Sequence, residues 1–240
     1  MIGKMPGERS QKFASYRAFL AYMMAHPGKK LLFMGQEFGQ EKEWDYKSQL
    51  DWGILQDKYH SDLLLFSEKL NRFYRDTAPL WQNDDSWSGF SWISNDDYKQ
   101  SVISFRRTDD NGEEIIAVCN FVPVQRDNYR IGVPKKGTYK VVFNTDAAEF
   151  GGQGLSAKSY KSEKVPMHGF EDSISMTLAP LSVMYLKVNS TRKRTAKSSE
   201  ETPAKTEKKS AKTTKTTKTA DTKEKKTTSR TRKKTPAQDK

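Results

Sequence analysis

The sequence predicts an α/β region followed by an all-β domain and a basic tail that stays disordered, and three observations support that fold class. Apolar residues recur at three- and four-residue spacing in two stretches of residues 1–78, with an unbroken apolar run between them. From Pro79 to Val188 the periodicity becomes alternating, with turn residues between the runs. From Asn189 to Lys240 there is no aromatic residue and no aliphatic residue larger than alanine, so that segment cannot bury a core. The boundaries are therefore 1–78, 79–188 and 189–240.

Residues 1–7 read as a loop, punctuated by Pro6 and Gly7, and a helix begins near Glu8. Phe13, Tyr16, Leu20, Met23 and Met24 give it one apolar face, and His26-Pro27-Gly28 ends it. Leu31 to Met34, closed by Gly35, reads as a short strand buried on both faces, as in a parallel sheet. Beyond it comes a loop rich in carboxylates, amides and indoles, with Gln36, Glu37, Gln40, Glu41, Trp44, Asp51 and Trp52 among them. In barrels of alternating strands and helices the active site lies at the C-terminal ends of the strands, which is where this loop falls. Its chemistry suits a neutral polyhydroxylated ligand. A second amphipathic helix is expected from about Ser61, as the cap, to Arg75. A central parallel strand needs partners on both edges, and a complete eight-unit barrel takes about 250 residues, so the first third reads as the end of a larger domain.

Seven strands are expected after Pro79: Phe90 to Ser94, Ser101 to Arg107, Glu114 to Phe121, Asn128 to Val133, Thr138 to Asn144, Ser173 to Leu178 and Ser182 to Val188. Asp109-Asp110-Asn111-Gly112 is a hairpin signal, with glycine where a positive φ is wanted. Seven such runs point to an antiparallel β-sandwich. Gly151-Gly152-Gln153-Gly154 is a loop, not a dinucleotide fingerprint, because no apolar strand leads into it and no helix follows.

The net charge of +12 would ordinarily suggest an anionic partner. Residues 189–240 carry 18 Lys and Arg against 6 Asp and Glu, which leaves the body balanced at 24 against 24. The charge thus belongs to the tail, whose spaced lysines can hold a polyanion weakly or serve only to solubilise. Cys119 is the sole cysteine and lies in an apolar strand pattern, so a disulfide framework is excluded and a reducing, cytoplasmic setting is expected. No apolar run reaches the roughly 20 residues of a membrane span, and no two of His26, His60 and His168 have metal-ligand spacing.

Five stretches carry a family resemblance: GKMPG at Gly3 to Gly7, QKFASYRAFLAYMMAHPGKKLLFMGQEFGQEKEW at Gln11 to Trp44, SQLDW at Ser48 to Trp52, VCNFVPVQRDNYRIGVP at Val118 to Pro134 and LAPLSVMYLKV at Leu178 to Val188. Residues 3–188 resemble the C-terminal part of bacterial 1,4-α-glucan branching enzymes, of the α-amylase-like glycoside hydrolase group. The resemblance implies the C-terminal end of a (β/α)8 barrel and then an all-β domain. It also implies a retaining transfer, in which an α-1,4 glucan segment is cleaved and passed to a 6-hydroxyl as an α-1,6 branch of glycogen or amylose. In that family the catalytic carboxylates lie upstream of the KMPG segment, so no catalytic residue is expected here. This chain alone should be inactive, the missing N-terminal part of the barrel being its natural partner.

The resemblance leaves the wall of a glucan cleft, with no cofactor and no metal. Glu37 can bind a sugar hydroxyl or accept backbone amides of its own loop. Trp44 and Trp52 can stack on pyranose faces or pack between domains. Asp51 can bind hydroxyls or cap local backbone, and Met5 can line the cleft. Trp81, Trp87 and Trp92 can form an exposed sugar platform on the sandwich, although core or domain-interface packing is the expectation for them. A competing reading is a non-catalytic β-sandwich module that binds glucan, with a polyanion-binding tail.

Overall fold

The fold comes from a computed structural model, which describes residues 1–189. Helix α1 spans Arg9–Ala25 and α2 spans Lys58–Asp76, and eight strands follow: β1 Phe90–Asp97, β2 Val102–Thr108, β3 Glu114–Asn120, β4 Arg126–Val133, β5 Thr138–Asn144, β6 Ser159–Lys161, β7 Asp172–Leu178 and β8 Ser182–Asn189. All seven expected strands form. The eighth, β6, adds three residues to the edge of β5, too few to leave an alternating signature.

The strands make an antiparallel six-stranded sheet, ordered β1-β2-β3-β8-β5-β6, and a separate pair, β4-β7. This is a lopsided sandwich, and alternation along its central strands explains why. On β3 and β8, Ile116, Val118, Met184 and Leu186 face Ile131, Val133, Ile174 and Met176 of the small sheet. The residues between them, Ile115, Ala117, Cys119, Val183 and Tyr185, face the opposite way and join a second core with Phe13, Leu20, Met24, Phe66 and Leu70 of the helices. The large sheet is therefore covered on both faces, and all of β3 is buried. The Asp109 hairpin forms as expected: its Oδ1 accepts from the amides of Asn111 (3.0 Å) and Glu113 (2.8 Å), and Gly112 takes φ +75°.

Cys119 is fully enclosed in the helix-facing core, and burial pushes its thiol well above the ordinary range. It should resist a soluble disulfide reagent in the native protein and react at once in denaturant. Rapid native-state labelling would contradict the packing described here.

Three expectations are corrected. Leu31 to Met34 forms no strand: it is extended, without a ladder partner among the described residues, with Leu32 packed inward and Leu31 and Phe33 exposed. A single extended run gains no sheet hydrogen bonds, so the backbone instead turns through positive φ at Met34 and Gly35. The cap of α2 is Asp57, which accepts from the Tyr59 amide at 2.8 Å, and not Ser61, whose hydroxyl donates to the Lys58 carbonyl. The first turn of α2, Lys58 to His60, packs through His60 against Phe13, which the spacing of the later leucines does not register. Finally, Trp81, Trp87 and Trp92 are not core residues, with Trp87 85% exposed. They belong to the loop that leaves α2 and to the outer strand β1.

No helix among the described residues is long and apolar enough to cross a membrane.

Candidate functional site

The segment from Gly35 to Trp52 contains no regular structure beyond single helical turns at Gln36–Phe38 and at its end, Trp52–Gln56, yet it is firmly tethered. Three successive carbonyls are captured by side chains from the two helices. Tyr16 of α1 donates to the carbonyl of Gln36 (2.9 Å), Ser67 of α2 to that of Glu37 (2.6 Å), and His60 Nδ1 meets that of Phe38 (2.8 Å). Phe38 is fully buried between these contacts. Gly39, at φ +72°, leaves no room for a Cβ, which would lie 2.7 Å from Leu63. The outer part of the loop folds back onto this base: Gln40 Oε1 accepts from the Asp51 amide at 3.0 Å, and its own amide donates to the Gly35 carbonyl. Loop rigidity here comes from helix side chains, not from a sheet.

The tethered loop brings together some of the expected site residues. Trp52 rests on Phe38 with ring centroids 5.0 Å apart and remains half exposed. Asp51 lies beside it, and both line a hollow of about 490 Å³ whose other walls include Gln40, Lys42, Asp45 and Gln49. Asp51 does not cap the following turn with its side chain; it pairs with Lys42 at 2.8 Å. Trp44 stands outside that hollow, edge-on to Phe33 at 5.8 Å, also half exposed. Glu37 is partly buried near Tyr16, whose hydroxyl is held well above its ordinary range by burial and then by the Glu37 charge. Met5 packs against the helical core and does not line the hollow.

Sequence reasoning misses Phe33 and Tyr46. The apolar run places Phe33 in a buried strand, but it is an exposed partner of Trp44, and Tyr46 is exposed two residues further on. A second hollow of about 320 Å³ lies between Trp87, Trp92 and Phe90 on one side and His26 and Asp85 on the other. Trp81 is not part of it and instead donates its indole N–H to the Arg75 carbonyl.

Two carboxylates of the first site, Glu43 and Asp51, pair with lysines. Glu43 is hydrogen-bonded to Lys4 at 3.0 Å, which keeps its carboxyl below the usual range. A general acid needs the opposite shift. Amides, ionised carboxylates and exposed aromatic faces can still receive hydroxyls and C–H faces of a neutral ligand. Among the described residues no three His, Cys, Asp or Glu side chains cluster to hold a metal.

Comparison with known proteins bears on the fold and not on the loop geometry. Residues 92–189 match the family described as alpha amylase, C-terminal all-beta domain. The chain is 51% identical over 189 residues to the 1,4-alpha-glucan branching enzyme GlgB of Aquifex aeolicus, covering 78% of this chain and 30% of that protein. It is 46% identical over 187 residues to the enzyme of the same name from Aromatoleum aromaticum, at 78% and 29% coverage. The chain thus spans less than a third of the length of these curated relatives. Among solved structures, Ttha1563 from Thermus thermophilus aligns with TM-score 0.51 at 16% identity, over 72% of this chain and 31% of that one. The catalytic module of the glycogen-degrading pneumococcal virulence factor SpuA aligns with TM-score 0.51 at 12% identity, over 75% and 32%. Those two likenesses concern the fold alone. Residues 92–189 are therefore similar to the alpha amylase C-terminal all-beta domain, within a chain whose likeness to glucan branching enzymes extends well beyond that domain.

Proposed function

We propose that this chain is the C-terminal part of a 1,4-α-glucan branching enzyme, supplying the closing elements of a (β/α)8 barrel, one wall of the glucan cleft and the all-β domain. The observation that carries the reading is the segment Leu31 to Trp52. Its base is tied to both helices, yet it presents Leu31 (72% exposed), Phe33 and Trp44 outward. An extended apolar run that turns one side chain in and the next out is the pattern of a strand awaiting neighbours. The loop after it carries the aromatic and amide groups that suit a sugar chain. α1, this run and α2 would then be a barrel's last helix, strand and helix.

In this reading the chain's own residues hold glucan and do not break it. Trp52 and Trp44 supply apolar faces, and Asp51, Gln40 and Glu37 accept or donate at hydroxyls. The acid and nucleophile of the branching reaction come from other parts of the barrel, while Glu43 and Asp51 pair with Lys4 (3.0 Å) and Lys42 (2.8 Å). The Trp87 and Trp92 hollow offers a second contact to the same ligand class. Residues 190–240, on which the expectation of a disordered tail falls, lie outside the described residues, and we assign the tail a polyanion affinity that salt abolishes.

Titration with soluble glucan at low and high salt tests this. Trp52→Ala should weaken binding roughly tenfold, equivalent to about 1.4 kcal/mol, and the loss should persist at high salt. Glucan affinity that disappears with salt, or that Trp52→Ala leaves unchanged, would count against the assignment.

A further inference from the structure

Lys30 follows the turn that ends α1 and is only partly exposed. Its Nζ donates to the carbonyl of His26, the residue that caps the C-terminus of that helix. Arg107 Nη1 donates to the carbonyl just before it, that of Ala25, at 2.8 Å. Two cationic groups are thus held on successive carbonyls at one helix end. A helix C-terminus attracts positive charge, but it carries only about half a unit of its own.

The surroundings do not supply the missing negative charge. Among the described residues no carboxylate lies within 4.0 Å of Lys30 Nζ. Asp84, the acidic group whose field reaches it, is already bound to Arg107 at 2.6 Å. The ring face of Tyr74 on α2 lies 5.5 Å away and adds a weak attraction. Of two crowded cations, the guanidinium keeps its proton and the ammonium is the one that yields. Burial lowers the pKa of Lys30 to about 8; Asp84 opposes the shift, and Arg107 and Lys29 add to it. A substantial fraction of the amine is therefore neutral near neutral pH, where an ordinary lysine has about one amine in a thousand in that form. A lysine desolvated beside another cation is an activated nucleophile.

We propose that Lys30 is a covalent modification site, acylated at Nζ by a neutral thioester. The Nζ lone pair attacks the thioester carbonyl carbon, the C–S bond breaks, and the thiol leaves with the proton that Nζ gives up. The amide N–H of the product can still donate to the His26 carbonyl, and the charge that Arg107 repels is gone. A neutral donor suits the place better than an acyl phosphate, because Asp84 and Asp85 line the hollow that His26 also borders. None of these groups belongs to the Leu31 to Trp52 segment, so the proposal does not depend on the glucan reading.

The test treats the full chain with S-acetyl-N-acetylcysteamine at about pH 7.5 and follows each lysine by tandem mass spectrometry. Exposed Lys29, its immediate neighbour, is the internal standard. Lys30 should acetylate about tenfold faster than Lys29, the gain in neutral amine being partly offset by lower basicity and by burial. Its rate should reach half its maximum near pH 8 and level off above that, while the rate at Lys29 keeps rising to about pH 10. In urea the two lysines should react alike, since the preference belongs to the folded surroundings and not to the local sequence. Equal rates in the native chain, a Lys30 rate still climbing at about pH 10, or a preference that survives in urea would each overturn the proposal.

Discussion

Asp84→Ala should lower the stability of the protein by about 3–5 kcal/mol. The Asp84 carboxylate lies 2.6 Å from Arg107 Nη2, and the two side chains are 2% and 0% exposed. Arg107 also donates to the carbonyls of Gly89 (3.0 Å) and Ala25 (2.8 Å), tying β2 to the end of α1 and to the turn before β1. Removing the carboxylate strands a buried cation whose remaining partners are neutral carbonyls. Removing both charges is different: Arg107→Met with Asp84→Ala should recover much of the loss, because an apolar side chain carries no desolvation penalty. Urea unfolding of wild type, the single variant and the double variant measures this. A double variant no more stable than Asp84→Ala would mean that the carbonyl contacts, not the charge, dominate.

Phe66→Ala should cost about 3–5 kcal/mol as well. Phe66 is fully buried on the inner face of α2, edge-on to Phe150 at 5.2 Å and 5.8 Å from Phe143 of β5. The cavity would open between helix and sheet, where the core is shared. If that core is one cooperative unit, helical ellipticity and tryptophan fluorescence should still be lost together, at a lower urea concentration. A helical transition that moves while the sheet's transition stays in place would show two separately folding parts.

The all-β region was legible because alternation is a local property. Each of the seven expected strands carries its inward residues in its own sequence, and the turn at Asp109 to Gly112 names its own geometry. The division of those strands into a sheet of six and a pair was not legible. It depends on which faces of β3 and β8 meet helices, and both faces of those strands are apolar. The run Leu31 to Met34 shows the converse. Its composition specifies a strand buried on both faces, but strands are completed by partners, and here Leu31 and Phe33 face outward. The helix boundaries followed from spacing to within a few residues. The Asp57 cap was missed because the residues just after it pack through an aromatic contact and not through a leucine stripe.

At the candidate site, the sequence pointed to this loop and to Trp52 and Asp51 as neighbours. It did not place Met5 against the core, pair Asp51 with Lys42, or pair Trp44 with Phe33. Those outcomes depend on how the loop folds over its anchor, Phe38, which is set by Tyr16, His60 and Ser67 from distant parts of the chain.

We propose that this chain holds glucan on a tethered aromatic loop and that bond breaking belongs to groups elsewhere in the barrel. Incubating the purified chain with amylose and measuring α-1,6 linkages by proton NMR, alongside retardation of the chain in a glucan-containing gel, tests it most directly. Retardation with no new α-1,6 signal is the expected result. Branches accumulating in proportion to the chain added would contradict it.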